Sequence, residues 1–359
     1  MKSGTSKIVF VSLIAAMFVM GCGGGGGGTT PSATSSGATA VTPVPAPVAV
    51  IQPANLVLVS PPTNYMVDSE ELGAFNTINN ARTSCGFGAL TQDIALDKAA
   101  INHSKWLLGV SSIEASHIET PGTTGFTGVT PYDRLTVAGY GPNGSFSPNE
   151  EIAGNSYFSK TGYGMKLTKA LLNAPYHLSS MMDGYRDAGV GIGVSKGVNG
   201  FNDRTSLVIN TAYKTSVGAQ LLAGDAVQTY PCEGTTGVNI GLNVETPNPV
   251  PGRDLSSSPT GMTIYVGIRR GNTLAISSAS VTNTVTGNPE KVNAVLTAKS
   301  DPDITVNGSR FGSHQAVIFT DKPASPNTKY AAVISGTNNG VAFTRNFTFT
   351  TGTGGLDRN

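Results

Sequence analysis

The sequence changes character at a proline-rich run that begins at Thr246 and ends at Gly252. Downstream of it, short β-branched and aromatic segments alternate with turn clusters such as Asn338-Asn339-Gly340. That spacing is typical of an antiparallel β-sandwich. Once residues 1–65 are set aside, the remaining length suits two domains. We expect the fold class of the chain to be α+β, with the second domain all-β.

The all-β part, expected over 260–353, ends with a pattern that resembles bacterial Ig-like domains. Those domains often close on F-x-F-T-T, and this chain has Phe347-Thr348-Phe349-Thr350-Thr351. The cysteine pair and the tryptophan that are usual in Ig domains are absent from this region. The resemblance therefore rests on the strand and turn pattern. It predicts strands within 262–268, 316–320, 330–334 and 343–350.

Residues 1–22 carry the pattern of a bacterial lipoprotein signal. Lys2 and Lys7 precede an apolar run over 8–20, which is too short to span a bilayer as a stable helix. The run ends in Val19-Met20-Gly21-Cys22, which resembles a lipobox. We expect Cys22 to be acylated and to anchor the chain at the outer membrane or cell surface. An ordinary secretory signal, with a secreted or periplasmic product, is the alternative.

A flexible linker is expected over 23–65. From Gly23 to Pro62 the chain is rich in glycine, threonine, serine, alanine and proline and has no charged residue, so it cannot bury enough apolar surface to fold. Two of the 23 lysines and arginines lie in the leader, which leaves 21 basic against 22 acidic side chains. This balance argues against nucleic acid as a partner.

The residues with the most chemical content lie in three short motifs. They are Ala115-Ser116-His117, then Asn149-Glu150-Glu151-Ile152-Ala153, then Ala174-Pro175-Tyr176-His177-Leu178. Together they resemble the bacterial SCP-like branch of the CAP superfamily, which is related to cysteine-rich secretory and plant pathogenesis-related proteins. The corresponding stretches there are roughly S-H, G-E-N-I-A and S-P-G-H-R.

The resemblance covers roughly residues 66–232. It includes an I-N-x-x-R helix ending at Ile78–Arg82, a P-x-D-R stretch at Pro131–Arg134 and a glycine-rich strand entry at Gly189–Gly193. It implies a CAP-type α-β-α sandwich, joined to the Ig-like sandwich by a linker over 233–259. We expect helices near 68–84, 93–108 and 167–183, and strands near 189–195 and 205–213.

The resemblance also implies that His117, Glu150 and His177 converge at one mouth of a cleft. Three such ligands, with water in the fourth place, suffice for a divalent metal such as zinc. Glu119 either shares the cleft or is solvated. Because neighbouring side chains alternate in an extended segment, only one of Glu150 and Glu151 should point into the cleft.

The two cysteines other than Cys22 are placed for a disulfide. Cys85 follows the first expected helix and Cys232 follows the last expected strand of the CAP-like region. One cysteine near each end of a domain in an oxidising compartment predicts a bond between them. Two unrelated buried thiols are the alternative. His103, on the second helix, is expected to pack or cap.

Familiar enzyme signatures find no support in the sequence. G-x-S-x-G occurs once, at Gly193-Val194-Ser195-Lys196-Gly197, but the next expected element is a strand and not the helix of a nucleophile elbow. There is no H-E-x-x-H, no phosphate-binding glycine loop and no C-x-x-C. The resemblance implies a non-enzymatic binding module of the cell envelope, for a lipid, another small apolar ligand or a divalent metal. The alternative is a metal-assisted hydrolase, in which Glu119 or Glu151 serves as base beside the three ligands.

Overall fold

Among the residues that the structure describes, those up to Lys214, here called the first half, form five helices and a four-stranded sheet. A computed structural model describes residues 51–110, 116–141, 144–156, 161–196, 204–304 and 308–353. Cys22, the leader and most of the expected tether lie outside these residues. The helices are α1 (Glu70–Ser84), α2 (Ile94–Gly109), α3 (Pro131–Ala138), α4 (Tyr163–Leu171) and α5 (Pro175–Met181). The strands of the sheet are β1 (Thr91–Gln92), β2 (Phe146–Ser156), β3 (Asp187–Ser195) and β4 (Arg204–Lys214).

Side-chain caps set where the first three helices begin. The side chain of Ser69 accepts from the backbone at the start of α1, and that of Asp93 does so for α2. Thr130 and Asp133 form a reciprocal capping box on α3. The expected helices near 68–84 and 93–108 are confirmed. The expected helix near 167–183 is instead two helices, because Pro175 has no N–H to continue α4 and begins α5.

The first sheet has the order β1-β3-β4-β2, and helices cover both of its faces. On one face, the glycines of β3 let α2 approach closely: a Cβ on Gly189 or Gly191 would lie 2.1 Å from a backbone atom of α2. On the other face, Leu207 and Ile209 of β4 pack in one cluster with side chains of α1, α4 and α5. The strands expected near 189–195 and 205–213 are thus confirmed as β3 and β4.

The second half contributes two larger sheets, ordered β11-β10-β14-β15-β6 and β12-β13-β9-β5, and a short pair β7-β8. Alternate side chains from both larger sheets form one buried cluster between them, so they make a sandwich. The strands are β5 (Val227–Tyr230), β6 (Thr235–Val238), β7 (Gly241–Leu242), β8 (Thr260–Gly261), β9 (Thr263–Ile268), β10 (Leu274–Asn283), β11 (Pro289–Glu290), β12 (Val292–Thr297), β13 (Gln315–Thr320), β14 (Lys329–Asn338) and β15 (Val341–Thr351).

The two halves share a core. In the sandwich sheet β12-β13-β9-β5, three side chains point away from the sandwich interior: Tyr265, Val317 and Phe319. They pack in the same cluster as Phe75 of α1 and Leu178 of α5. The described residues accordingly belong to one compact unit. The described chain is mixed α and β, which confirms the α+β expectation.

Both sandwich sheets take strands from the N-terminal side of residue 260. β5 pairs with β9, and β6, within the range expected as a linker, pairs with β15. Cys85, at the end of α1, is joined by a disulfide to Cys232, which lies between β5 and β6. The expected disulfide is therefore confirmed, and it ties the helical layer to the sandwich. Closing a chain separation of 147 residues is worth about 5 kcal/mol in the chain-entropy model, an upper figure.

Arg82, the last residue of the I-N-x-x-R stretch, holds the end of α1 to the end of α5. Its guanidinium is fully buried and donates to the carbonyl oxygens of Met181 at 2.6 Å and Gly88 at 2.9 Å. Burial lowers its pKa to about 10, against the opposing charge of Asp183. None of the helices described is long and apolar enough to cross a membrane.

Candidate functional site

Strand β2 directs Glu150 and Glu151 to opposite faces of the first sheet. Glu150 is opposite Asn210 of β4, whose side chain donates to the carbonyl oxygen of Leu96 on α2. Glu151 is opposite Ile209, whose side chain packs with α1, α4 and α5. This is the alternation expected of an extended segment. The two adjacent carboxylates therefore belong to two separate sites.

Glu150 lies on the α2 face and is buried. Its Oε1 accepts from Nη2 of Arg134 at 2.6 Å and lies 3.1 Å from Nδ1 of His117. Burial alone would raise the pKa of this carboxyl. The hydrogen bond from His117, the charges of His103 and Arg134 and the hydrogen bond from Arg134 instead hold that pKa below its usual range. Glu150 is therefore a carboxylate at neutral pH.

Arg134 links this carboxylate to the backbone around it. The guanidinium is completely buried, and Nη2 also donates to the carbonyl oxygen of His117 at 3.1 Å. Nη1 donates to the carbonyl oxygens of Gly128 and Val129, both at 3.3 Å. The capping box of α3 precedes Arg134 directly, so the start of that helix places the guanidinium. One cation thus fixes both the carboxylate and the backbone that carries His117.

Glu119 joins the same network and is not solvated. Its carboxylate is fully buried and accepts from the backbone N–H of Thr127 at 2.6 Å and of Gly128 at 3.3 Å. Nδ1 of His103 lies 2.8 Å from the same carboxylate. Of the two alternatives left open by the sequence, the structure supports the one in which Glu119 lies near Glu150.

His103 is the member of the network that sequence reasoning missed. Its Nε2 lies 2.9 Å from the carbonyl oxygen of Ser116 and 3.6 Å from Glu150. Burial lowers its pKa, and the carboxylates of Glu150 and Glu119 oppose that shift. Its spacing from Leu96 and Leu107 on α2 could have revealed it, because these positions share the buried face of a helix.

His117 is where this network reaches solvent. Its side chain is 46% exposed, whereas Glu150 beside it is 1% exposed. With Nδ1 held by the carboxylate, a neutral ring keeps Nε2 unprotonated and able to accept a hydrogen bond. Exposed apolar side chains lie on the adjoining backbone: the bond from Glu119 N to Val129 O, at 3.0 Å, puts Ile118 and Val129 next to each other. We define the His117 surface as His117, Ile118, Phe126, Val129 and Tyr132, all of them exposed.

His177 lies at the start of α5, on the opposite face of the sheet. Its Nδ1 is hydrogen-bonded to the Glu151 carboxylate, which also accepts from the side chain of Asn149 at 2.8 Å. The second half adds Glu245, which accepts from the backbone N–H of Tyr176 at 2.8 Å. Glu245 is buried, and its second oxygen has no hydrogen-bond partner among the described residues.

The charges around His177 shift two pKa values. Burial alone would lower the pKa of His177, but the Glu151 carboxylate and the more distant Glu245 raise it above its usual range. Burial raises the pKa of Glu245 to about 7, although the charge of His177 and the backbone N–H groups of Tyr176 and His177 oppose that shift. This site therefore holds protons more tightly than isolated side chains do.

The expected metal site of His117, Glu150 and His177 is not formed. His117 contacts Glu150, whereas His177 contacts Glu151 on the other face, because adjacent residues of a strand point in opposite directions. Within the described ranges, no group of three or more histidine, cysteine, aspartate or glutamate residues could hold a metal ion. The donor set therefore does not fit the zinc site that the motifs suggested.

Two small cavities lie elsewhere in the molecule, with volumes of about 20 Å³ and 10 Å³. The first is lined by Asp183, Arg270 and His314 among others, and neither is lined by His117 or His177. Each has room for about one water molecule, against roughly 300–1,000 Å³ for a drug-sized ligand. Neither of these two cavities could therefore hold such a ligand.

The chain was also compared with known proteins. No protein-family model matches it, and no curated protein matches it. The class that the fold and sites define is an α+β protein with two His–Glu pairs on opposite faces of one strand.

Proposed function

We propose that this chain is a lipid-anchored protein of the bacterial cell envelope, in which a CAP-like domain and an Ig-like sandwich form one body. Four features support the proposal. The lipobox-like Cys22 follows a short apolar leader, and the three CAP-like motifs occur in the family's order. A sheet covered by helices on both faces holds the middle motif in β2. The C-terminal sheets pack as a sandwich, as in Ig-like domains.

Its activity, in this proposal, is non-enzymatic binding of a small apolar molecule that carries a polar group. The His117 surface would receive it, with the apolar part against Ile118, Phe126 and Val129. The polar group would bond to the His117 ring. The observation that carries this proposal is a nearly half-exposed imidazole, fixed by a buried carboxylate, on a backbone segment where Ile118 and Val129 are also exposed.

Binding is favoured over catalysis because the network directs its hydrogen bonds inward. Glu119, Glu150 and Arg134 are buried and bonded to backbone or to one another. The nearest hydroxyl in sequence, Ser116 Oγ, donates to the backbone of Ile118 at 3.0 Å. The alternative of a metal-assisted hydrolase is not proposed, because its three ligands fall into two separate sites.

Titration with a fluorescent fatty acid tests the binding site. We expect saturable binding that His117→Ala weakens about tenfold or more, which corresponds to the loss of one good polar contact. Val285→Ala, an equally simple change at an exposed residue of the second half, should leave the Kd unchanged. Hydrolysis of a chromogenic ester that disappears in His117→Ala would show an enzyme and overturn the binding proposal.

The lipid anchor is tested separately. The mature N-terminus should show the mass of an acylated Cys22, and Cys22→Ala should move the chain from the membrane fraction to the soluble fraction. An unmodified N-terminus with an unchanged distribution would remove the anchor from the proposal and leave the His117 surface untouched.

A further inference from the structure

Five large apolar side chains lie exposed along one edge of the first half. They are Leu58, Val59, Met66, Val67 and Ile94, between 59% and 83% exposed. We call this set the N-terminal apolar edge. Its first four members precede α1, and Ile94 is the first residue of α2. Single exposed apolar residues are ordinary on protein surfaces, but a contiguous group usually marks a contact site.

Hydrogen bonds hold this edge together. The N–H of Ala89 donates to the carbonyl oxygen of Val57 at 2.7 Å, next to Leu58. The N–H of Asn64 donates to the side chain of Gln92 at 2.6 Å, two residues before Ile94. Tyr65 OH bonds to Asp97, one turn into α2. The segment 57–65 therefore runs beside 89–97, and the exposed side chains of both segments share one rim.

The charges near the N-terminal apolar edge indicate which kind of partner it could bind. Residues 51–67 contain no charged side chain, and the carboxylates of Asp68 and Asp93 flank the edge in sequence. Lys98 lies one turn beyond Ile94 on α2 and is exposed. These charges of both signs favour neither an anionic nor a cationic partner, and an uncharged apolar strip suits the interface of a neutral bilayer. Shallow insertion into lipid needs no complementary partner surface.

The position of the edge in the chain also favours a lipid bilayer as the partner. Residues 23–50 lie between the expected acylated cysteine and the first described residue, and the edge begins seven residues further on at Leu58. The sequence predicts a flexible tether there, and a flexible chain of that length would span roughly 30 Å on average. With Cys22 acylated as proposed, such a tether would keep Leu58 within reach of the membrane that holds the lipid.

We propose that the N-terminal apolar edge docks on a zwitterionic phospholipid surface. The body then rests against the membrane instead of swinging freely on its tether. The closeness of the apolar edge to the membrane rests on the proposed lipid anchor. The lipid contact itself is a property of the folded body and can be measured without the anchor.

Flotation with phosphatidylcholine vesicles tests the proposal on the mature chain from Gly23 onward, which lacks both the leader and Cys22. We expect measurable partitioning into the vesicles. Leu58→Ser with Met66→Ser should reduce it roughly a hundredfold, since burying each large apolar side chain corresponds to about tenfold or more. The matched control is Val285→Ser with Val341→Ser, two exposed apolar residues of the second half. Circular dichroism checks that both double variants are folded.

Three results would overturn the proposal. The first is that the mature chain with an intact edge does not float with the vesicles. The second is that the control variant loses as much partitioning as the edge variant. The third is that the chain self-associates without vesicles and the edge variant abolishes that association, which would make the edge an interface between copies. The anchor has no part in this assay, so failure here is distinct from failure of acylation at Cys22.

Discussion

The two His–Glu pairs start from adjacent residues of one strand and have different surroundings. The Glu150 pair sits in a network with an arginine, and its histidine is nearly half exposed. The Glu151 pair faces a further buried carboxylate, Glu245, from the second half, and its histidine is 22% exposed. The comparison shows that adjacent residues of one strand can place two His–Glu pairs among different charged neighbours.

The two sites contribute to stability over different pH ranges. The pKa of Glu150 is lowered, so its contribution to stability is present above the ordinary glutamate value and is lost as pH falls through the lowered one. The pKa values of His177 and Glu245 are raised. Their contributions are full below the ordinary values and are lost as pH rises through the raised ones, for Glu245 between about 4.5 and 7.

The largest expected effect comes from removing the arginine of the first network. Arg134→Met leaves Glu119 and Glu150 buried without their shared cation, which typically costs about 3–5 kcal/mol. Urea unfolding at pH 7 measures the free energy. Arg345→Met, at an exposed position of β15, is the control and should cost less than about 0.5 kcal/mol. If both variants lost the same free energy of unfolding, the buried network around Arg134 would not stabilise the protein more than an exposed arginine does.

The second prediction concerns Glu245. Glu245→Gln removes the group that loses its proton near pH 7, so the variant should lack a fall in stability, on the order of 3 kcal/mol, between pH 4.5 and 8. Thermal or urea unfolding across that range measures the slope. Glu290→Gln in the edge strand β11 should retain the wild-type slope. If Glu245→Gln retains it as well, another group is responsible for the dependence.

The third prediction separates His177 from the pair on the other face. His177→Ala leaves Glu151 and Glu245 facing each other without a cation and should cost about 1–3 kcal/mol at pH 6. The cost should shrink in the double variant with Glu245→Gln, because only one buried carboxylate is then left. A double-mutant cycle measures this coupling. Strict additivity of the two changes would contradict the contact between them.

The smallest expected effect on stability belongs to His117. Because its ring is nearly half exposed, His117→Ala should cost less than about 1 kcal/mol, in line with exposed ion pairs. Its effect should instead appear in ligand affinity. Unfolding and fatty-acid titration on one preparation test both statements. A loss above about 2 kcal/mol would mean that His117 is a structural residue.

Local signals predicted much of the first half. The helix expected near 93–108 begins at its Asp93 cap, and the glycine repeat at 189–193 marked the strand on which α2 lies. The short helix α3 was not expected, although Thr130 and Asp133 supply its capping box. The alternation of Glu150 and Glu151 followed from the geometry of any strand. These features depend on residues within one turn or one strand, so they can be predicted from the local sequence.

Features made by distant residues were not predictable in the same way. The motif histidines were expected in one cleft, but the contact of His177 with Glu151 depends on which face α5 covers. Glu245 lies in a range expected as a linker, and only tertiary packing brings it to α5. His103 resembled an ordinary helix residue until the segment from Ser116 to Gly128 was folded over it.

The shared core has a consequence for the order of events during synthesis and export. Phe75 and Leu178 emerge first, yet Val317 and Phe319, which complete their cluster, follow roughly 140 residues after Leu178. At about 5–20 residues per second, that delay is on the order of ten seconds. For that interval the helical layers have an uncovered apolar face, and during its first part Cys85 also lacks its partner Cys232. A nascent chain in this state depends on being kept soluble until its last strands arrive.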